Sequence, residues 1–335
     1  MMTSDIDFVL LWVDDNDPEW QRAYRLAKGC DPGGAEALRF RDWGLLRYWF
    51  RGVERFAPWV NRIFFITVGH LPQWLDCRHP KLRVVKHTDY IPADYLPTFN
   101  SNTIELNLHR LDDLGERFVL FNDDILLTST VAPERFFSRG LPRDMAVLNA
   151  LQPERNMMSH VAVNNIALLN TLFDARKTVK EHPAKWWSPR YGLYLVRNLF
   201  LSRYPRFTGF VDPHMPQPYL KSTFSEGWLD FGDELDATCR TPFRTPENVN
   251  HWLLRYCQMA RGLFEPLDVM ADTKIFYSLT DRNFDCAVNT VACGKKAMVC
   301  LNDGPVSDFS LCRSRLVDAF QTLLPKKSAF ELDSM

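Results

Sequence analysis

Five short apolar runs do most to limit what this chain can fold into. They are Ile6 to Val13, Ile63 to Val68, Leu82 to Val85, Phe118 to Phe121 and Ala146 to Leu148, rich in Val, Ile, Leu and Phe. Near-continuous runs of this length suit strands buried on both faces, the pattern of a sheet covered by helices. Helical periodicity fills the intervals. Over Trp43 to Phe56, the side chains of Leu46, Trp49, Phe50 and Val53 share one face, with Asp42 as N-cap. A second pattern starts at Asn102-Thr-Ile-Glu105 with a capping-box-like spacing and turns Ile104, Leu108 and Leu111 inward. Strand and helix alternate, so an α/β fold is expected.

From about residue 152 to 280 the text turns helical and rich in Trp, Tyr and Pro, which reads as a mainly helical insertion over the working edge of the sheet. Ala297 to Leu301 then reads as a late strand returning to that sheet. The expected organisation is an α/β core over 1–151, a helical insertion over 152–285, and a return to the core with a C-terminal helix over 286–335. The 335 residues suffice for a sizeable core.

Charge excludes some partners. Forty basic and 41 acidic side chains leave a net charge of -1, so no general field draws in nucleic acid or an anionic membrane, and an anionic ligand must be held locally. The start, MMTSDIDFVLLWVDD, lacks the basic region of a secretory signal. Nowhere do about 18 uncharged apolar residues follow one another, which argues against an integral membrane segment. Eight cysteines lie scattered without Cys-x-x-Cys or zinc-like spacing, so free thiols and a cytoplasmic location are expected.

Three apolar runs end alike: LLWVDDND at Asp14, FVLFNDD at Asn122 to Asp124, and MVCLND at Asn302 and Asp303. Ligands of open α/β sheets bind beyond the carboxyl ends of strands, so these termini can converge if their strands are neighbours. Two carboxylates about 4 Å apart repel by roughly 1 kcal/mol in water and about 4 kcal/mol at an effective dielectric near 20, which calls for a cation or a proton between them. All-oxygen ligands favour Mg²⁺ or Mn²⁺, and a diphosphate would complete such a site. Each pair alone also suits an ordinary turn or cap.

Two further residues precede expected helices: His214 ahead of one near Pro216, and Arg244 ahead of Thr245 as N-cap and Pro246 at the first helical position. Helix N-termini attract anions, so either side chain could help hold phosphate, although a lone His or Arg is usually structural. Glu105 and His109 lie four apart on one helix face, which equally fits a helix-supporting pair. Trp12, two positions before Asp14, is more often a core residue than a stacking platform.

In order along the chain, Ile6 to Asp14, Arg39-Phe-Arg-Asp42 with Leu46-Arg-Tyr48, Ala57-Pro-Trp59, Leu96 to Ser101 with Ile104-Glu105 and Leu108-His-Arg110, and Phe121-Asn-Asp-Asp124 resemble the Stealth family of sugar-1-phosphate transferases. Pro213-His-Met-Pro216, Cys239 to Arg244 and Cys300-Leu-Asn-Asp303 resemble its later blocks. The resemblance implies a GT-A-like nucleotide-sugar fold with a helical insertion, using Mg²⁺ or Mn²⁺. It implies that a saccharide hydroxyl attacks the phosphorus bound to the sugar of a UDP-sugar such as UDP-N-acetylglucosamine. UMP would leave and a phosphodiester would form, in capsule or exopolysaccharide synthesis. By the same resemblance Asp124 and Asp303 would bind metal, with Asp123 and Asn122 shaping that site. His214 would be the general base and Arg244 the clamp on phosphate. Trp12, Asp14, Arg47, Glu105, His109, Asn122 and Asn302 would contact substrate.

Two departures stand out: WVDDND lacks the Gly that often follows the first Asp, and Asp42-Trp-Gly-Leu-Leu replaces the usual Asp-Asn-x-Glu-Leu. A GT-A glycosyltransferase releasing UDP, or a non-catalytic carbohydrate-binding protein, would share much of this pattern. Peripheral association with capsule-assembly machinery is compatible with all of these readings.

Overall fold

Strand β1 (Ile6–Leu11) runs parallel between β2 (Ile63–Thr67) and β4 (Arg117–Phe121), with β3 (Leu82–Lys86) parallel outside β2. The computed structural model describes residues 5–31, 41–271 and 274–332. Phe8, Val9 and Leu10 of β1 are fully buried, as are Phe64 and Phe65 of β2 and Phe118 and Val119 of β4. Burial on both faces is why these runs carry so little polar alternation. The one acid inside β1, Asp7, is also buried. It accepts from the Asn61 side chain at 2.8 Å and from the Gly115 backbone N–H at 2.8 Å, tying two loops to the strand.

Between β1 and β2 lie α1 (Pro18–Lys28) and α2 (Leu46–Phe56). Asp17 caps α1 by accepting from the Trp20 N–H at 2.7 Å. Its buried Trp20 and Tyr24 pack on Phe99, and Tyr24 also meets Phe243. The apolar face expected of α2 is buried, with Phe50 edge-on to Phe65 and Trp49 edge-on to Phe121. The helix starts three residues later than its apolar pattern, and Asp42 does not cap it. Asp42 instead accepts from the Gly44 N–H at 2.7 Å, closing a turn. After β3, the short helix α3 (Ser101–Leu106) is capped by Asn100 and ends before His109, which sits in a separate 3-10 turn.

The chain leaves β4 through Asn122-Asp123-Asp124 and enters β5 (Ile125–Leu127), which belongs to a different sheet. A hairpin follows, β6 (Phe137–Ser138) with β7 (Leu141–Asp144). Ala146 to Leu148 is buried but is no strand. The Ala146 N–H donates to the Tyr191 hydroxyl and the Leu148 N–H to Asn198 Oδ1, so side chains take part of a ladder and leave one isolated antiparallel bridge, Leu148 with Phe210.

The next segment is mostly helical: α4 (Met157–Leu172), α5 (Ala175–Glu181), α6 (Pro183–Trp186) and α7 (Leu195–Leu201). It also returns a strand to the principal sheet, because β8 (Gln217–Leu220) pairs antiparallel with β4 and gives the order β3-β2-β1-β4-β8. No helix begins near Pro216. Helix α8 (Lys221–Asp230) starts only after β8, followed by α9 (Gly232–Cys239) and α10 (His251–Ala260). Thr245 to Asn248 likewise forms a turn, and Asn250 caps α10.

After β9 (Glu265–Pro266), β10 (Lys274–Ser278) and α11 (Phe284–Cys293) lead to β11 (Met298–Asn302) and α12 (Phe309–Leu323). Strand β11 does not rejoin the principal sheet as its apolar run suggested. It pairs parallel with β10 and antiparallel with β5, forming a second, three-stranded sheet. Its register sets Cys300 against Ile125, and the Leu301 N–H donates to the Asp124 carbonyl at 2.8 Å. Gly52 of α2 admits β5 closely, since a Cβ there would lie 3.0 Å from the Leu127 carbonyl oxygen. The C-terminal residues are pinned by buried Arg51, which donates to both Glu331 carboxylate oxygens at 2.7 and 2.9 Å. Among the described residues no helix is long and apolar enough to cross a membrane.

Candidate active site

A cleft of about 580 Å³ opens where β1, β4 and β11 end. Asn122, Asp123 and Asp124 form its floor, Trp12 and His214 stand at its sides, and Arg244, Asn302 and Asp303 also line it. The adjacency of β1 and β4 sets Trp12 beside Asn122 to Asp124, while Asp14 stays outside the lining. The pairing of β5 with β11 brings Asn302 and Asp303 to the same cleft.

Asp124 is the most constrained of the acids. Its Oδ2 lies 3.2 Å from His214 Nε2 and accepts from the Cys300 thiol at 3.4 Å, while its Oδ1 is buried with no hydrogen-bond partner. A buried carboxylate oxygen without a donor is costly, and a cation at that point would satisfy it. Asp124, His214 and Cys300 offer ligand atoms all within 4.8 Å of one another, so a metal ion fits this corner. Asn122 Nδ2 is 3.5 Å from His214 Nε2, and the His214 ring stands edge-on to Phe276.

Asp123 faces the cleft and is solvent-exposed. Its position deep in the molecule, then the Asp124 charge, push its carboxyl up to about 7. Contact with cleft water opposes that burial. Asp303 is already neutralised: Arg41 donates to its two oxygens at 2.9 and 2.5 Å, and the Gly304 N–H donates at 2.7 Å. Metal binding by Asp303 therefore requires exchange with Arg41.

Arg244 donates to the Ser101 hydroxyl and faces the cleft beside Glu105. Glu105 is buried, and burial raises its carboxyl to about 7 against the lowering influence of Arg244, Ser101 and His214. His251 Nε2 lies 3.8 Å from Glu105, but burial depresses that imidazole to about 3, so it stays neutral.

The segment carrying His214 is held from behind. Fully buried Arg255 of α10 donates to Asp144 at 2.7 and 2.8 Å and to Asp212 at 2.7 Å, and the Tyr256 hydroxyl also donates to Asp212. Asp212 lies two residues before His214, so strand β7 and helix α10 jointly fix the approach of the imidazole.

Three expected substrate contacts lie elsewhere. Arg47 pairs with Glu331 at 3.4 Å and stacks over Trp74, away from the cleft lining. His109 packs against Trp228. Asp14 closes its own turn by accepting from the Asn16 N–H, while its backbone N–H donates to His70 Nε2 at 2.8 Å. Trp12 does line the cleft, stacked on Phe65. Arg39 and Phe40 of the first quoted blocks lie outside the described residues.

The sequence reading passed over Arg41, Cys300, Ser101 and Lys28. Lys28 reaches the cleft from the end of α1, its ammonium 4.2 Å from the Phe243 ring centre. Arg41 and Cys300 stood inside quoted motifs, but their partners are 262 and 176 residues distant in sequence.

Comparison of the sequence with known proteins shows its family. Residues 4–29 match Stealth protein CR1, conserved region 1, and residues 39–144 match Stealth protein CR2, conserved region 2. Over 334 residues the chain is 38% identical to the capsular polysaccharide phosphotransferase WcwK of Streptococcus pneumoniae, covering 97% of this chain and 98% of that protein. This chain belongs to the Stealth family. It is also 38% identical over 330 residues to the exopolysaccharide phosphotransferase cps2G of Lactiplantibacillus plantarum, covering 98% of this chain and 96% of the relative. It is 36% identical over 336 residues to the receptor polysaccharide phosphotransferase WefC of Streptococcus oralis, covering 98% and 99%. The Stealth chain described here is an enzyme, and the two conserved regions contain Trp12, Glu105, Asp123 and Asp124 of its cleft.

Proposed function

We propose that this Stealth enzyme transfers a hexose 1-phosphate, N-acetylglucosamine 1-phosphate in particular, from a UDP-sugar to a saccharide hydroxyl, releasing UMP, in capsular or exopolysaccharide synthesis. The observation that carries the reading is the meeting of His214, Asp124 and Arg244 in one cleft at the strand ends. The parallel order β3-β2-β1-β4, with the site at its carboxyl edge, supports a GT-A-like nucleotide-sugar core, with 152–285 as the insertion that supplies His214 and Arg244.

Phosphoryl transfer depends on positioning and on neutralising charge. The acceptor oxygen bonds to the phosphorus carrying the sugar, the anhydride bond to UMP breaks, and the hydroxyl proton passes to His214 Nε2. Asp124 Oδ2, 3.2 Å away, stabilises the imidazolium so formed. Arg244 offers its guanidinium to the transferred phosphate. Asp124, Asp123 and, after release of Arg41, Asp303 would hold Mg²⁺ or Mn²⁺. Such an ion, when bound, would supply charge neutralisation on the diphosphate. Trp12 offers a face to the donor's base or sugar. With all eight cysteines free, the enzyme works in the cytoplasm, where UDP-sugars are met.

The test is the nucleotide product from UDP-N-acetylglucosamine, Mg²⁺ and an acceptor saccharide. UMP supports phosphotransfer. UDP overturns it in favour of a glycosyltransferase, and saccharide binding insensitive to chelator, without any nucleotide product, supports a binding protein.

A further inference from the structure

We propose that Asp124, His214 and Cys300 form a preorganised tetrahedral site for Zn²⁺, with Cys300 as thiolate ligand, and that zinc held there blocks turnover. The metal site is independent of the proposed reaction; its inhibitory consequence rests on that reading, in which His214 is the base.

A tetrahedral zinc with bonds of about 2.3 Å to sulfur and about 2.0 Å to nitrogen and oxygen keeps N and O roughly 3.3 Å apart and S and O roughly 3.5 Å apart. The corresponding separations are 3.2 Å between His214 Nε2 and Asp124 Oδ2, and 3.4 Å between Cys300 Sγ and Asp124 Oδ2. Two of the three edges thus match a zinc tetrahedron, and all three ligand atoms lie within 4.8 Å of one another. One thiolate, one imidazole and one carboxylate are a poor set for Mg²⁺, which wants six oxygens, and a good one for a borderline-soft ion.

The backbone holds the site in place. Asp124 immediately precedes β5, whose Ile125 pairs with Cys300 of β11. His214 is held by the Asp212–Arg255–Asp144 network. Little reorganisation is needed when the ion enters. Zinc binding displaces the Cys300 thiol proton to solvent, so affinity rises with pH. Occupation of Nε2 removes the lone pair that would accept the acceptor's proton.

The test begins with the metal-free full chain and Co²⁺ alone. Expected are a thiolate-to-cobalt charge-transfer band and strong tetrahedral ligand-field bands saturating at one equivalent, both removed by Zn²⁺. In Cys300→Ser the charge-transfer band disappears and the Zn²⁺ dissociation constant rises on the order of tenfold or more. Cys300→Ala repeats the test, with near-ultraviolet circular dichroism as the check on folding. A six-coordinate cobalt spectrum overturns the site. So does a thiolate band that survives Cys300→Ser, since it would come from exposed Cys30, Cys77, Cys286 or Cys293. For inhibition, the Zn²⁺ concentration that halves UMP release should track the wild-type dissociation constant. UDP release with an intact cobalt–thiolate band would overturn the phosphotransfer reading and leave the site standing. UMP release with no such band overturns the site alone.

Discussion

Replacing Arg255 by Met tests whether the buried ionic network both stabilises the frame and aims His214. Arg255 is 0% exposed and Asp144 1%. Removing one partner of a buried pair typically costs 3–5 kcal/mol, because the other charge stays behind unpaired. Here Asp144 keeps two neutral donors, the Met145 N–H at 2.6 Å and Gln217 Nε2 at 2.9 Å, which places the loss near the lower end, about 3 kcal/mol. Unfolding entropy near 2.1 cal/mol/K per residue over 335 residues gives about 0.7 kcal/mol/K, so the midpoint should fall by about 4 °C. Asp212 also loses its guanidinium partner, and His214 follows two residues later, so turnover should drop while UDP binding changes little. Calorimetry with urea titration measures the first effect, and steady-state kinetics with UDP binding the second. In the double variant Arg255→Met with Asp144→Asn, the buried charge is gone and at least half of the lost stability should return. A loss below about 1 kcal/mol, or a double variant no better than the single, would refute the reasoning.

Acid should destabilise the protein. Burial holds His87 and His109 near 4 and His251 near 3, below the ordinary 6.5, so each is neutral when folded and gains a proton on unfolding. Their contribution is complete above about pH 6.5 and is lost as pH falls toward 4. At pH 5 that is about 2 kcal/mol each, while Glu105, raised to about 7, gives back about 2 kcal/mol. Urea titrations should therefore find the protein less stable at pH 5 than at pH 7 by up to about 4 kcal/mol. Asp123, also raised to about 7 but screened by cleft water, narrows that gap, and greater stability at pH 5 would count against the assignment. Asp124→Asn should lower turnover at least about a hundredfold without lowering the melting temperature, since it also removes repulsion with Asp123; retained turnover would exclude Asp124 from the reaction. Arg47→Ala should leave UDP affinity unchanged by calorimetry and cost at most about 1 kcal/mol, because its ion pair with Glu331 is half-open to solvent. A tenfold weaker UDP affinity would return Arg47 to the donor site.

The principal sheet was legible because burial on both faces forces continuous apolar runs, which β1, β2 and β4 carry, while edge strand β3 keeps exposed Arg83 and Lys86. Two errors share one cause. Ala146 to Leu148 and Met298 to Leu301 are both buried, and burial alone does not say which partner supplies the backbone hydrogen bonds. Asn198, Tyr191 and a single bridge to Phe210 serve the first, while a second sheet serves the other. His214 and Arg244 line the cleft although the helices expected behind them do not exist, so helix N-termini do not account for their place there. Arg47 shows the opposite outcome. It lies within a matched region, yet its side chain turns to Glu331 at the other end of the chain, a pairing that no local pattern announces.

The clustering of acids in the cleft follows from where β4 ends. Asn122 to Asp124 is the turn that carries the chain from one sheet to the other, so its carboxylates emerge between the sheets rather than at an open loop. Each acid there meets its charge differently: Asp303 through a guanidinium, Asp124 through an imidazole and a thiol, Asp123 by opening to cleft water. Only Asp124 retains a buried oxygen without a donor. That asymmetry makes Asp124 the position where an added cation would relieve the most unfavourable electrostatics.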